Sequence, residues 1–276
     1  MSTPRFFAER DNKQAYILGE EVTVGLSAGA LHHANRVLRL RCGQSVEIVL
    51  RDLWTTYRAE ITYLSNKGMV VKLIEKLTAA NLPISFDLYW GFAKHGKNDQ
   101  IVRQAVEIGC DRLTPVIFER SILRVDQEVE QKRVQRLQAI AESAAMQAHR
   151  EIIPPVEIAQ SFEVMIENLK DYDGVVVAWE QTRQDTLSNI LDEVIETRPT
   201  KIALVIGPEG GITDEEIDTL VTIDAQVASM GTTILRVETA CCVACGITAD
   251  RIRANLSDST AVTGSCVDKT IELKVP

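Results

Sequence analysis

The sequence predicts an α/β protein of two domains, a small β-barrel followed by a parallel sheet with helices on both faces. Short β-branched or alternating runs fill residues 1–76, and strand-like apolar runs alternate with helical patterns from residue 83 onward. The 276 residues are enough to bury a sizeable core and to form two domains.

Six short runs predict the strands of the barrel: PRFFAE, AYILGE, EEVTVGL, QSVEIVL, YRAEITYL and GMVVKLIEKL. Glycine, asparagine and aspartate separate these runs, as is typical of turns between strands. After the third run, residues 30–43 predict a short helix that packs through Leu31, Ala34, Val37 and Leu38. The same spacing leaves three arginines facing outward: Arg36, Arg39 and Arg41.

The charge of the chain is distributed unevenly. The net charge is −9, yet residues 1–76 contain 11 Lys or Arg and 8 Asp or Glu. Because phosphate binding depends on local basic patches, this N-terminal segment is the better candidate for contact with a nucleic acid. Outward arginines on a helix also serve solubility alone, and both interpretations stay open at this point.

The cysteines indicate neither a disulfide framework nor a zinc site. The chain has six Cys and shows no signal peptide or membrane-spanning run, so we expect a protein of the reducing cytoplasm. Cys242 and Cys245 form a C-x-x-C pair, but no second pair or nearby His completes a metal site. Cys241 and Cys245 share one helical face, which favours packing in a core.

A break at residues 77–82, closed by Pro83, separates the barrel pattern from the second domain. Beyond it the sequence predicts a strand at 84–92, a helix at 99–108, a strand at 112–118, a long helix at 128–150 and a strand at 173–180. This alternation is typical of a parallel sheet that is covered on both faces.

The last part of the domain begins with KIALVI, a run expected for a buried strand, which breaks into a glycine loop. Gly207, Gly210 and Gly211 free the backbone of that loop, and Pro208 stiffens it. Thr213, followed three residues later by Glu216, predicts a capping box at the start of a helix.

A second unit repeats this plan with QVASM, Gly231, TTILR and a helix from about Val237. One glycine loop alone is typical of a plain turn, but two adjacent loops predict a ligand crevice at the carboxyl edge of the sheet. The run G-P-E-G-G matches neither G-x-G-x-x-G nor a phosphate loop, so a dinucleotide or triphosphate site is disfavoured.

The run GPEGGITDEEI, followed by GTTILRVETA, resembles the signature of the SPOUT-class methyltransferases, and within them the RsmE family. The resemblance covers most of the chain. It implies a PUA-like RNA-binding barrel over residues 1–76 and a trefoil-knotted methyltransferase domain over residues 83–256. Residues 257–276 are left as a polar tail, which fits either an extra edge strand or a disordered segment.

That family methylates N3 of a uridine in 16S ribosomal RNA of the small subunit and uses S-adenosylmethionine as methyl donor. The resemblance therefore implies a cofactor site in the two glycine loops, at Ile206, Gly207, Pro208, Gly210, Gly211, Met230, Gly231, Ile234 and Leu235. It also implies a homodimer that pairs through the knotted domain, with RNA spanning both subunits. No metal and no membrane partner are expected.

Further motifs resemble the RNA-contacting elements of the family: P-R-F-F, H-x-x-x-V-L-R, a lysine-containing loop and an element ending in Gln, Arg and Pro. The implied RNA contacts are Arg5, His33, Arg36, Arg39, Lys94, Arg120, Gln147 and Arg150. His33 also fits a structural role, and Arg120 fits a salt bridge equally well. The chain departs from the family pattern at Arg103, Met146, Met230 and Thr233.

The proposed chemistry needs a group that stabilises negative charge. A neutral uridine N3–H is a poor nucleophile, so it must lose its proton. Arg236 ends the second loop and stays charged at any working pH, which makes it the candidate for this role. Glu238 is a candidate to orient Arg236 or to accept a proton through water, although the helix dipole explains its position equally well. Arg5 is a further candidate for contact with the reacting base.

Two other functions stay open from the sequence. One is a SPOUT enzyme that acts on another RNA position, such as a ribose 2′-hydroxyl, and the other is a ribosome-assembly factor that binds RNA without catalysis. The barrel and the L-R-V-E-T-A run favour the uridine family. The intact glycines and Arg236 argue against a protein without catalytic activity.

Overall fold

The computed structural model describes residues 3–10, 17–78, 81–93, 96–121 and 127–263. A closed five-stranded barrel comes first along the chain, and a six-stranded sheet with helices follows it. The predicted combination of a barrel and a parallel α/β sheet is therefore confirmed.

The described part of the barrel has one strand fewer than the sequence predicted. Its strands are β1 (Arg5–Arg10), β2 (Glu21–Leu26), β3 (Ser45–Leu50), β4 (Thr55–Leu64) and β5 (Met69–Lys76). They join in the order β1-β2-β5-β4-β3, and parallel pairing of β1 with β3 closes the cylinder. In AYILGE, residues 17–20 form a turn rather than a strand, because Gly19 takes a φ of 93°.

The helix between β2 and β3 is shorter than its pattern predicted. α1 spans Ala28–His32 and continues as one π-helical turn over His33–Val37. Val37 and Leu38 are 59% and 39% exposed, so the prediction that they pack inward is wrong. The wider π turn moves them off the packed face, and Arg39 then leaves the helix with a φ of 53°.

The second body is a parallel sheet built from β6 (Ser85–Gly91), β7 (Arg112–Ile117), β8 (Gln160–Ser161), β9 (Gly174–Ala178), β10 (Lys201–Ile206) and β11 (Gln226–Ala228). The spatial order is β11-β9-β10-β6-β7-β8. β10 lies in the middle, with Leu204 in the core of one face and Val205 in the core of the other. Its continuous apolar run is explained by this burial on both faces.

In the described segments, six helices cover the sheet: α2 (Lys97–Ile108), α3 (Gln127–Gln147), α4 (Phe162–Leu169), α5 (Leu187–Glu196), α6 (Asp214–Val221) and α7 (Val237–Thr263). α4 and α6 contribute to the core that contains Val205, and the other four contribute to the core that contains Leu204. Cys241 and Cys245 are buried in the latter core, as the helical spacing predicted. No helix in the described segments is both long and apolar enough to cross a bilayer.

Three boundaries differ from the sequence pattern. α3 ends at Gln147, and His149 beyond it has a φ of 56°, so Arg150 lies outside the helix that was predicted to include it. α4, α5 and the short strand β8 were not predicted. α7 runs to Thr263, so residues 257–263 extend the last helix instead of forming a separate tail, and residues 264–276 lie outside the described residues.

A cluster of charged groups joins the barrel to the chain that follows α3. Glu47 on β3 is buried, with Arg5 Nε and His149 Nδ1 each 2.9 Å from its Oε2. Burial alone would raise the pKa of Glu47, but the hydrogen bonds with His149 and Arg5 outweigh it and hold that pKa below its ordinary value. A second link is the hydrogen bond from Thr56 N to Glu151 Oε1 at 3.1 Å. These bonds, together with the burial of Phe7 and Val49 in the core of the second body, hold the barrel in place.

We expect Glu47→Gln to destabilise the protein by about 2 kcal/mol near neutral pH, because it leaves the buried Arg5 guanidinium without its countercharge. Since the folded pKa of Glu47 is depressed, its stabilising contribution is present above the unfolded pKa and is lost as the pH falls through the folded pKa. Urea unfolding at neutral pH and at about pH 3 measures this difference, which should shrink in acid. Glu60→Gln, at an exposed position of the same barrel, is the control. Equal unfolding midpoints at neutral pH would contradict the expectation.

Candidate active site

The first glycine loop, residues 207–213, leaves the carboxyl end of β10 and enters α6. Thr213 Oγ1 accepts a hydrogen bond from Glu216 N at 3.2 Å, and Glu216 Oε2 accepts one from Thr213 N at 3.0 Å. The predicted capping box is therefore present. Glu216 Oε1 also accepts from Glu119 N at 2.8 Å, which ties the loop to the turn after β7.

Close packing explains the glycines of this loop. A Cβ at Gly207 would lie 2.6 Å from the Ile212 side chain, and a Cβ at Gly210 would lie 2.9 Å from Arg120 Cβ. Gly211 has a φ of 77°, which favours glycine. Larger residues at these positions would push the loop out of its place at the edge of the sheet.

The second glycine loop, residues 229–236, follows β11 and enters α7. Ser229 anchors the start of this loop, because Ser229 N donates to Asp185 O at 2.8 Å and Ser229 O accepts from Leu187 N at 2.9 Å. Gly231 takes a φ of 113° where the chain turns outward. The tip of the loop is open to solvent, and Ile234 is 87% exposed.

The two glycine loops lie side by side and line one cavity of about 650 Å³. Its lining includes every residue that was predicted to bind the cofactor: Ile206, Gly207, Pro208, Gly210, Gly211, Met230, Gly231, Ile234 and Leu235. Trp179, Glu180 and Arg183, which follow β9, complete the wall. Trp179 keeps a buried indole N–H that has no hydrogen-bond partner among the described residues. Apolar walls with main-chain polar groups and an unused donor fit a nucleoside-type cofactor such as S-adenosylmethionine.

The predicted catalytic residues occupy different places. Arg236 is exposed, lines the cavity and forms no ion pair with any residue of the described segments. The side chain of Glu238 is only 12% exposed, and its Oε2 lies 3.5 Å from Lys97 Nζ. Arg5 is held by Glu47 at the junction with the barrel and lines a separate cavity.

Lys97 is a cavity residue that the sequence pattern did not single out. It begins α2 and forms an ion pair with Glu209 of the first glycine loop. The hydrogen bond to Glu209 and the nearby charge of Glu238 hold the pKa of Lys97 above its ordinary value. The sequence feature that could have identified Lys97 is its position at the start of the helix that follows β6, because β6 lies next to β10 in the sheet.

The predicted RNA contacts fall in several separate regions. Arg5, His33 and Gln147 line a cavity of about 540 Å³ between the barrel and α3. Arg36 and Arg39, together with Arg41, line a depression of about 760 Å³ on the barrel. The structure therefore gathers five of the predicted RNA contacts on and beside the barrel, together with Arg41.

The other predicted RNA contacts lie within or near the second body. Arg120 lies beside the first glycine loop, with its Nη1 at 3.4 Å from Gly210 O. Arg150 donates to Cys110 O and lies 2.6 Å from Asp111 Oδ1, so its guanidinium is engaged within the domain. Lys94 lies outside the described residues.

The carboxyl end of β6 lies directly beneath the first glycine loop. A Cβ at Gly91 would overlap the backbone N and Cα of Pro208. The sequence analysis treated Gly91 as an ordinary strand residue, although a glycine inside a buried strand can mark a close backbone approach.

We expect Gly91→Ala to weaken the binding of S-adenosylmethionine by roughly tenfold or more. The first glycine loop must move away from β6 to make room for the alanine side chain, which would otherwise overlap Pro208. Isothermal titration calorimetry measures this affinity. Gly246→Ala in α7 is the matched control, since a Cβ there meets nothing within 4 Å. The control should bind normally and unfold at a higher temperature, because alanine favours a helix more than glycine does. Normal binding by Gly91→Ala would show that the contact between position 91 and Pro208 does not determine the position of the first glycine loop.

Comparison with known proteins agrees with this geometry. The sequence profile of the RNA methyltransferase domain matches residues 80–249. The chain is 30% identical over 226 residues to the ribosomal RNA small subunit methyltransferase E of Synechocystis, covering 81% of this chain and 72% of that protein. It is 28% identical over 240 residues to the Bacillus subtilis protein of the same name, covering 86% and 92% of the two chains.

Solved structures share the fold. The structure of ribosomal RNA small subunit methyltransferase E from Neisseria gonorrhoeae, bound to S-adenosyl methionine, superposes with a TM-score of 0.74 at 24% identity and covers 88% of this chain and 95% of its own. A methyltransferase from Legionella pneumophila in complex with the same cofactor gives a TM-score of 0.72 at 23% identity, over 92% and 98% of the two chains. With the profile match over more than half of its length, the chain belongs to the ribosomal RNA small subunit methyltransferase E family of RNA methyltransferases.

Proposed function

We propose that this protein transfers the methyl group of S-adenosylmethionine to N3 of a uridine in 16S ribosomal RNA of the small ribosomal subunit. The observation that carries the proposal is the cavity between the two glycine loops, where Arg236 lines the wall and its guanidinium forms no ion pair with the described residues. The names of the Synechocystis and Bacillus subtilis relatives support a ribosomal RNA substrate. The cofactor bound to the Neisseria gonorrhoeae relative supports the methyl donor.

The glycine loops would hold the cofactor through main-chain groups. Ile206 and Leu235 line the cavity as apolar walls on which an adenosine can pack, and Gly207 and Gly231 leave the main chain accessible. When bound, S-adenosylmethionine supplies an activated methyl group on a sulfonium. The contribution of the chain is to hold this group in line with the uridine nitrogen.

Arg236 would stabilise the base as it loses its N3 proton. Its guanidinium stays charged at working pH and is free of ion pairs within the described residues, so it can pair with negative charge that develops on the uracil oxygens. Glu238 does not line the cavity, and we assign it an indirect role. The N3 proton then leaves to solvent or to a water molecule at the open side of the site.

The barrel would contact the RNA. Arg36, Arg39 and Arg41 form no ion pair with any described residue, and Tyr63 on the adjacent strand is 58% exposed. Unpaired guanidinium groups bind phosphates, and an exposed aromatic ring offers a surface for base stacking. The target uridine must leave its stack to reach the cavity, so a loop or junction of folded RNA suits this site.

The remaining features of the proposal follow from the family resemblance. They are a trefoil knot in the sheet domain, a homodimer that pairs through it and a cytoplasmic location.

The reaction is tested with purified protein, S-adenosylmethionine and small ribosomal subunits from cells that lack the enzyme. We expect 3-methyluridine in the nucleoside digest by mass spectrometry, and fragment mapping then locates the base. Another methylated nucleoside would overturn the uridine N3 assignment while leaving methyl transfer intact. Absence of any product together with absence of cofactor binding would favour an RNA-binding assembly factor.

We expect Arg236→Ala to lower kcat by about a hundredfold or more, with little change in the affinity for S-adenosylmethionine, because the guanidinium acts on the base and not on the cofactor. Single-turnover methylation and calorimetry measure the two quantities separately. Arg253→Ala, an exposed arginine farther along α7, is the control and should retain full activity. A full methylation rate in Arg236→Ala would remove Arg236 from the mechanism.

A further inference from the structure

Lys97 is a charged cavity residue that the reaction described above does not use. Its position is fixed by its neighbour Asn98, which is buried at the start of α2. Asn98 Oδ1 accepts from Trp90 Nε1 at 2.9 Å and from Ala93 N at 3.2 Å, and Asn98 Nδ2 donates to Ala93 O at 2.6 Å. These bonds join the end of β6 to the start of α2, so the Lys97 backbone is held at the rim of the cavity.

The Lys97 ammonium contacts a carboxylate from each of the two loop segments. It donates to Glu209, which belongs to the first glycine loop. It also lies 3.5 Å from Glu238 Oε2, in the first turn of α7 directly after the second glycine loop. A single cation on α2 therefore bridges the two segments that form the cofactor cavity.

Glu238 depends on this cation. Its Oε2 is buried and receives no hydrogen bond from the described residues, and Lys97 is its cationic neighbour. A buried carboxylate without a countercharge is costly, and two carboxylates around one point repel each other. Loss of the Lys97 charge would leave Glu209 and Glu238 facing each other, which favours separation of the two loops.

We propose that Lys97 is a positioning residue of the cofactor site, whose ammonium holds the two glycine loops at the spacing that S-adenosylmethionine needs. The proposal rests on the proposed function, because it assigns Lys97 to the site of that reaction. Lys97 acts through Glu209 and Glu238 and does not contact the transferred methyl group.

The test compares Lys97→Met, which keeps the aliphatic stem, with Lys97→Arg, which keeps the charge. Calorimetry is performed with S-adenosylmethionine and with S-adenosylhomocysteine, which lacks the sulfonium charge. An effect of Lys97 on loop spacing changes the affinity for both ligands, whereas direct repulsion between Lys97 and the sulfonium changes the affinity for S-adenosylmethionine alone. We expect Lys97→Met to weaken both ligands by a similar factor, roughly fivefold, and Lys97→Arg to recover most of the loss. In methylation assays the KM for the cofactor should rise more than kcat falls.

Lys170→Met is the matched control, because Lys170 forms an ordinary surface ion pair with Glu167 at 2.7 Å and both side chains are at least half exposed. It should bind both ligands as the wild type does. Glu238→Gln is a second variant that should weaken both ligands, with no further loss when it is combined with Lys97→Met. If Lys97→Met does not fold, Glu238→Gln alone tests the bridge.

Three outcomes would overturn the proposal. Unchanged affinity for both ligands in Lys97→Met and in Glu238→Gln would show that the Lys97 bridge does not control the spacing of the two glycine loops. Tighter binding of S-adenosylmethionine alone would show that Lys97 acts only through its charge. If the wild-type protein bound neither ligand, the proposed function would fail first, and this assignment would fail with it.

Discussion

The register of β10 between its two neighbours is the constraint on which the site depends. Ile206, the last residue of β10, pairs with Trp90 of β6 on one side and with Ala178 of β9 on the other. Three strands therefore end at the same level, and the chains that leave them must share a small space. Glycine at positions 91 and 207 allows the first loop to lie directly against β6. The cavity is a consequence of where parallel strands stop.

Both edges of the sheet carry ion pairs, such as that of Lys97 with Glu209 at the carboxyl edge, but the two edges differ in the cations that they leave without one. At the amino edge, Asp87 is buried, accepts a hydrogen bond from Tyr172 and lies 3.2 Å from Lys201 Nζ. Burial and this hydrogen bond raise the pKa of the Tyr172 hydroxyl. At the carboxyl edge, Arg183 and Arg236 line the cavity without an ion pair to any described residue. Paired groups stabilise the fold, whereas unpaired cations are available to an anionic substrate in a chain whose net charge is −9.

The barrel is attached to the sheet domain by Phe7 and Val49, which are buried in the core that contains Leu204, and by polar contacts with the end of α3 and the chain beyond it. Glu47 binds Arg5 and His149, and Arg51 forms an ion pair with Glu142 of α3 at 2.7 Å. Arg5 was expected to contact the RNA, and in the structure its guanidinium forms an ion pair with Glu47 at the junction and lines the cavity beside α3. The depression lined by Arg36 and Arg39 is thus carried on a barrel that both apolar packing and ion pairs hold against the sheet domain.

The sequence by itself determined the features that local chemistry controls. It predicted the buried strand before the first loop, the capping box and the residues that line the cavity between the two glycine loops, because apolar runs, glycines and caps act over a few residues. The tertiary structure alone decided which of the predicted side chains line a cavity and which are engaged within the fold. Arg150 turns into the domain, Val37 turns out of the core, and Lys97 and Gly91 meet loops more than a hundred residues away. Such contacts depend on strand register and packing between distant segments, which no local pattern records.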